Sequence, residues 1–290
     1  MNNVLEIKNL RKEYPEFILE NISWAVPQGY VMGLIGPNGA GKTTTIKLIM
    51  NLIRSDGGQV KVFGLDSVED EKEIKNKIGY VGEEQYFYDY RSADWTGKFV
   101  SHFFERWDME RYKSLLDRFE IPPRKRIKRL SKGMKVKLSL AIALSHNPEL
   151  ILLDEPTSGL DPIIRREVID FLKTFTEENE KSVIISSHIT DDIARIADYV
   201  TYMVGGKIVL TDSKDELLSN WKKINFTPGS LDRSLLDSLE NVESHMFGSS
   251  ALTKNYPKIR QALSPGIASG DIKVESVGLD DILISLVKGA

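Results

Sequence analysis

Residues 36–43 read GPNGAGKT, and no other stretch restricts the fold of this chain as strongly. Two glycines bracket four residues and are followed by Lys42 and Thr43, the pattern of a phosphate-binding loop. The run YVMGLIG before it is short, apolar and ends in glycine, as expected of a buried strand feeding such a loop. KTTTIKLIMNLI after it has helical periodicity and stops before the turn SDGG. Each residue type in the loop has a task. The glycines let the backbone bend so that successive N–H groups point inward at phosphate oxygens. A helix beginning at Lys42 adds its positive dipole end, Lys42 reaches β- and γ-phosphates, and the Thr43 hydroxyl suits Mg²⁺.

The rest of the chain reads as a frame for this loop. VLEIKNL alternates apolar and polar residues, and FILENISWAVPQGYVMGLIG holds two further β-rich runs separated by the turn PQG. From about Glu84 to Lys128 the pattern turns helical, aromatic and charged (DWTGKFVSHFFERW and MERYKSLLDRFEI), as an inserted helical subdomain would. Then come ELILLDEP as a buried strand, DPIIRREVIDFLKTFTEE as a helix, SVIISSH as a second buried strand and DDIARIAD as a helix. YVTYMVGGKIVLTDS reads as a hairpin turning at Gly205-Gly206. Alternation of this kind predicts a mostly parallel sheet covered on both faces. Past about Asn220 the segments KINFT, SLDRSLLDSL, ESHMFGSSALT, YPKIRQALS, DIKVESV and LDDILISLVKG predict a small separate α+β unit.

Composition narrows the function classes. The chain of 290 residues is 41% hydrophobic and 28% charged, ordinary for a soluble globular protein. A net charge of -3 gives no electrostatic sign of nucleic-acid binding. With no cysteine there is neither a disulfide framework nor a thiolate metal site. The N-terminus lacks the apolar core of a secretory signal, and no stretch reaches the roughly 18–20 apolar residues of a spanning helix.

Four further motifs carry chemistry. LILLDE ends with Asp154 and Glu155 at the C-terminal tip of a buried strand, where open α/β sheets bind ligands. Asp154 there suits Mg²⁺, and Glu155 suits a general base acting on water. His188 follows the strand VIISS, from which it can hydrogen-bond a γ-phosphate. Asp161 suits the N-cap of the helix that Pro162 begins, and it also suits contact with a partner subunit. In LSKGM, Ser131 is an N-cap candidate and Gly133 leaves the first helical turn bare, an anion site in the making. Eight basic residues lie between Arg124 and Lys137 and add positive potential there. Two phosphate-binding turns in one chain are redundant unless each nucleotide is shared between two chains.

Taken together, GPNGAGKTT, LSKGM, LILLDE, SGLD and SSH resemble, in order, the Walker A, signature, Walker B, D-loop and switch-histidine motifs of ABC transporter ATP-binding subunits. The resemblance covers residues 1 to about 215 and is nearest to ATPase subunits of bacterial exporters of drugs, peptides or related compounds. It implies an α/β P-loop NTPase fold over 1–218, with an N-terminal antiparallel β-subdomain, a helical subdomain at about 84–135 and an accessory unit at 219–290. It implies an ATP site formed by Tyr14, Gly36, Pro37, Asn38, Gly39, Ala40, Gly41, Lys42, Thr43, Thr44, Ser131, Gly133 and Asp161, with Tyr14 stacked on adenine. Catalysis falls to Glu155 and His188, and Mg²⁺ to Thr43, Asp154 and Glu83. It further implies a head-to-tail dimer, with itself or a paralogue, in which Ser131 and Gly133 close over the γ-phosphate on the other chain. The helical segment would dock on a membrane permease, placing the chain in the cytoplasm at the inner face of the cell membrane.

Two positions depart from the family pattern. Lys132 and Met134 replace the second and last side chains of the usual signature ending Gly-Gly-Gln, while the serine and the following glycine remain. The glutamine that normally touches Mg²⁺ aligns with Glu83 in IGYVGEEQYFY, and Gln85 stands two residues on, facing the same side of an extended chain. The alternative reading is a soluble ABC-type ATPase of translation or DNA maintenance. Translation types usually carry two such domains, and the repair type inserts a long coiled coil. A P-loop kinase or GTPase needs no signature motif.

Overall fold

The computed structural model describes residues 2–179, 181–245 and 248–289; the centre of ESHMFGSSALT, Met246 and Phe247, lies outside them, as do the two terminal residues. Strands β1 (Asn3–Tyr14) and β2 (Phe17–Pro27) form a long hairpin, and β1 pairs on its other side with β4 (Gly57–Val62), which carries β5 (Leu65–Asp66). All pairings in this four-stranded sheet are antiparallel.

The second sheet is the centre of the molecule. It contains β3 (Val31–Ile35), β6 (Ile78–Val81), β7 (Leu150–Asp154), β8 (Ser182–Ser187) and β9 (Tyr199–Val204), all parallel, with β10 (Lys207–Ser213) antiparallel on one edge. The order is β10-β9-β3-β8-β7-β6. Every residue of β3, β7 and β8 is buried, which is why these segments read as unbroken apolar runs rather than alternating ones. Alternation survives at the level of the two faces. Leu150 and Leu152 join a core shared with the antiparallel sheet and α1 (Lys42–Ile49), while Ile151 and Leu153 join the core beneath the helices of the other face.

Those helices are α5 (Lys132–Leu144), α6 (Pro162–Asn179) and α7 (Thr190–Ile196). The helical insertion adds α3 (Ala93–Val100), a short 3₁₀ turn and α4 (Met109–Arg118). Ser92 and Asp108 cap α3 and α4 by accepting the N–H groups of Trp95 and Arg111. Tyr112, fully buried, donates its hydroxyl to the Ala93 carbonyl at 2.7 Å and so ties the start of α3 to α4; burial pushes its phenol pKa up. DWTGKFVSHFFERW is helical only as far as Val100, followed by one 3₁₀ turn. Helix α2 (Glu71–Lys77) and strands β4 and β6 were not legible beforehand: α2 buries only Ile74, and β6 is four residues long.

The C-terminal region forms a third, antiparallel sheet in the order β12-β13-β11-β14. Its strands are β11 (Lys222–Phe226), β12 (Glu240–His245), β13 (Gly248–Thr253) and β14 (Ile272–Ser276), with α8 (Lys214–Asn220), α9 (Arg233–Leu236) and α10 (Tyr256–Ser269) around them. A small core of Ile224, Phe226, Leu263 and Ile272 lies between this sheet and α10. The last helix, α11 (Leu279–Lys288), turns back: Leu279 and Ile282 pack in the same core as Ile193 and Ile196 of α7, and the Tyr202 hydroxyl donates to the Leu279 carbonyl at 3.0 Å.

The contact between α3 and α4 leaves no room for a side chain at Gly97, where an added Cβ would lie 2.1 Å from the Tyr112 ring. Gly97→Ala is expected to lower stability by about 1–3 kcal/mol through overpacking. A urea titration checks this, and an unshifted midpoint would contradict the packing described.

Candidate nucleotide site

The site is assembled at the C-terminal edge of the parallel sheet. The loop from Gly36 to Gly41 joins β3 to α1, and Gly36 passes so close to β9 that a Cβ there would sit 2.3 Å from the Met203 carbonyl oxygen. Gly41, the N-cap of α1, has φ +105°, a conformation that disfavours any side chain. Asn38, Gly39, Ala40 and Thr44 fall within the same loop–helix junction.

Lys42 is 6% exposed and points back into the loop. Its ammonium donates to the carbonyls of Gly36 at 2.8 Å and Pro37 at 3.3 Å. It also stands 3.1 Å from Glu155 Oε1, in an ionic contact without the alignment of a hydrogen bond. The other Glu155 oxygen meets His188 Nδ1 at 2.7 Å, so Lys42, Glu155 and His188 form one chain of contacts. Glu155 has φ +49°, a left-handed backbone that costs a non-glycine residue about 1–2 kcal/mol. The turn is held by its N–H, which donates to the Ser186 hydroxyl at 3.0 Å.

A second set of contacts runs beside the first. Asp154 Oδ1 accepts from the Ser186 hydroxyl at 2.7 Å and the Thr43 hydroxyl at 3.1 Å, while its buried Oδ2 has no partner. Desolvation pushes the Asp154 carboxyl up, against those two hydrogen bonds. Sequence reasoning missed Ser186. The signal for it is register: Asp154 and Ser186 are paired neighbours on β7 and β8.

Thr43 and Asp154 open onto a cavity of about 730 Å³ whose wall also includes Gly82, Glu83, Gln85 and Ser139. Glu83 is exposed, whereas Gln85 is half-buried, donates to the Gly82 carbonyl at 2.7 Å and accepts from the Ser139 hydroxyl on α5. Tyr14 lies at the end of β1, in a separate pocket with Phe17 and Lys207. The ring of Phe17 would touch a Cβ on Gly41, which brings this pocket up against the loop.

The remaining predicted residues gather elsewhere. The Ser131 hydroxyl caps α5 by accepting the Met134 N–H at 3.2 Å, and Asp161 Oδ1 caps α6 by accepting the N–H groups of Ile163 and Ile164, each at 3.1 Å. Gly133 does not leave the turn bare: it is buried, and a Cβ on it would lie 2.6 Å from Ile164 Cγ2. Its missing side chain lets α5 start against α6, and Ser131 and Lys132 form the exposed part of the turn. Ser131, Gly133 and Asp161 line neither the cavity beside Thr43 nor the pocket beside Tyr14.

A buried-strand sheet with a glycine loop, a lysine inside it, and an aspartate and glutamate at the neighbouring strand tip defines a P-loop nucleoside-triphosphate-binding protein. The family model described as "ABC transporter" matches residues 19–158. An uncharacterized ABC transporter ATP-binding protein of Synechocystis sp. is 34% identical over 209 residues, spanning 70% of this chain and 58% of that protein. The bacitracin transport ATP-binding protein BcrA of Enterococcus faecalis is 33% identical, covering 82% of this chain and 79% of that one. BcrA of Bacillus licheniformis is 28% identical over 100% of this chain and 99% of its own length. Among solved structures, the dimeric structure of a bacterial ABC transporter cassette superposes with a TM-score of 0.66 at 25% identity, over 72% of this chain and 98% of that one. The chain belongs to the ABC transporter family, among its ATP-binding ATPase subunits.

Lys42→Ala removes the cation inside the loop. Charge-assisted hydrogen bonds contribute about 1.5–3 kcal/mol each, so ATP affinity should fall roughly tenfold to a hundredfold. Equilibrium binding of a fluorescent ATP analogue measures this, and unchanged affinity would contradict the assignment of the loop.

Proposed function

We propose that this chain hydrolyses Mg-ATP at a site shared head to tail with a second copy of itself, and so drives a separate membrane permease. The observation that carries this reading is the incompleteness of each site within one chain. Lys42, Glu155 and His188 form one chain of contacts at the sheet edge beside Asp154 and Thr43, while the Ser131 hydroxyl and the Asp161 carboxylate cap α5 and α6 and the Ser131 turn stays exposed. In this reading a facing Ser131 closes over a triphosphate held by the loop.

Within this reading, phosphate oxygens replace Glu155 and the loop carbonyls as partners of the Lys42 ammonium. Glu155, released from Lys42, accepts a proton from the attacking water, a general-base role contributing roughly 10²–10⁴ in rate. His188, held by the other Glu155 oxygen, presents its second ring nitrogen to the γ-phosphate. The site also suits magnesium. Thr43 and Asp154 offer hard oxygens side by side, Asp154 Oδ2 is buried without a partner, and Glu83 lines the same cavity. When bound, the ion would offset the negative charge on the β- and γ-phosphates. Gln85, on the same wall, would be the alternative to Glu83 as a partner for this ion, and its bond to Ser139 links the cavity to α5.

Similarity to the bacitracin transport protein BcrA over the full chain, including the third sheet, supports an exporter of antibiotic peptides or related compounds. Among the described residues no helix is long and apolar enough to cross a membrane. In this reading the permease is a separate chain. It holds the ATPase at the inner face of the cell membrane, docked through the helical insertion, with 219–290 as an accessory domain.

Two inactive variants test the shared site. Ser131→Arg spoils one half and Lys42→Ala the other, and each alone should hydrolyse ATP at least about a hundredfold more slowly. Mixed, they form heterodimers in which one composite site is intact, so ATPase activity should reappear. A mixture as inactive as its components would rule out the head-to-tail arrangement between copies of this chain.

A further inference from the structure

Asp192 lies on the first turn of α7, four residues beyond His188, with its side chain only 3% exposed. One carboxylate oxygen accepts from the Thr157 hydroxyl at 2.6 Å, and the other meets Arg165 Nε at 2.7 Å. Thr157 is itself buried and comes two residues after Glu155, while Arg165 is the fourth residue of α6. The loop between them contains Gly159, at φ +66°, and the cap residue Asp161. This loop therefore leaves from and returns to a single buried carboxylate. Its tip is also occupied: a Cβ on Gly159 would lie 2.5 Å from the Lys132 ammonium, so the lysine that replaces the family's usual glycine rests on the loop.

We propose that Asp192 is a positioning residue for ATP hydrolysis, fixing the 157–165 loop and the turn that carries His188 against Glu155. The inference rests on the functional reading above. The connection runs through short covalent and hydrogen-bonded links. The Ser158 N–H donates to the Glu155 carbonyl at 3.1 Å, so Thr157 sits inside the turn that sets the left-handed backbone of Glu155. On the other side, the Asp192 N–H donates to the Ile189 carbonyl at 3.2 Å, and the Ile189 N–H donates to the Ser187 hydroxyl at 2.9 Å. His188 lies inside this second turn. The Asp192–Thr157 bond thus joins the two turns whose side chains meet in the 2.7 Å contact between Glu155 and His188. Arg165 neutralises the buried carboxylate and brings the start of α6 with it, and Gly133 of the Ser131 turn packs on Ile164 beside it. Base, switch histidine, loop and signature turn are in this way built on one ion pair. Neither Asp192 nor Arg165 lines the cavity at Thr43.

The test uses the full chain and three single variants, Thr157→Val, Arg165→Gln and Asp192→Asn. Thr157→Val is nearly isosteric and Arg165 is partly exposed, so those two keep the test informative even if Asp192→Asn folds poorly. ATP turnover, KM, and ATP affinity of the monomer by equilibrium titration are measured for each. All three should lose roughly tenfold or more in kcat while the ATP Kd stays within about twofold, because geometry and not binding is disturbed. A kcat within about twofold of the unmodified chain for Thr157→Val and Arg165→Gln would overturn the proposal, as would parallel losses of kcat and affinity. Absence of turnover by the unmodified chain would instead overturn the functional reading itself, and the positioning role with it.

Discussion

The contact between Lys42 and Glu155 is the constraint on which the site depends. Both side chains are almost wholly removed from water, at 6% and 5% exposure. Isolated charges so placed are costly, and removing one member of such a pair strands the other. The pair is stable only while each charge has the other, or while an incoming ligand replaces one of them. A polyanion does so selectively. In the proposed mechanism it offers Lys42 a stronger partner and leaves Glu155 as a carboxylate held by His188. In that mechanism Glu155 is free to act on water once phosphate oxygens stand beside Lys42 in its place.

The parallel sheet makes that contact possible. Ile35 pairs with Ser187 and Asp154 pairs with Ser186, so the chain leaves β3, β7 and β8 at nearly the same level. Gly36, Glu155 and His188 are the next residues out. A slip of one residue would turn the alternate side chains to the opposite face and dissolve the arrangement. The two apolar cores on either side of the sheet specify this register, because Leu150 and Leu152 belong to one and Ile151 and Leu153 to the other.

Much of this was legible from residue order, for a physical reason. Strand tips, glycine loops and caps are local features, so the phosphate loop, LILLDE, the Asp161 cap and the Ser131 cap could be read from neighbouring residues. What resisted reading was non-local. Ser186 gains its role only from register with Asp154, and Asp192 only because α7 brings it to Thr157 and Arg165. Gly133 was misread for the same reason: its bareness serves Ile164 on another helix, not an open turn. Helix α2, with one buried residue, has no periodicity to detect.

The central claim is that Ser131 of one chain completes the site built around Lys42 of another. The most direct measurement is the mass in solution of Glu155→Gln, which retains the nucleotide loop but lacks the base, with and without Mg-ATP. The account predicts a monomer that becomes a dimer only when Mg-ATP is added. A monomer under both conditions, at nucleotide concentrations that saturate binding, would contradict it.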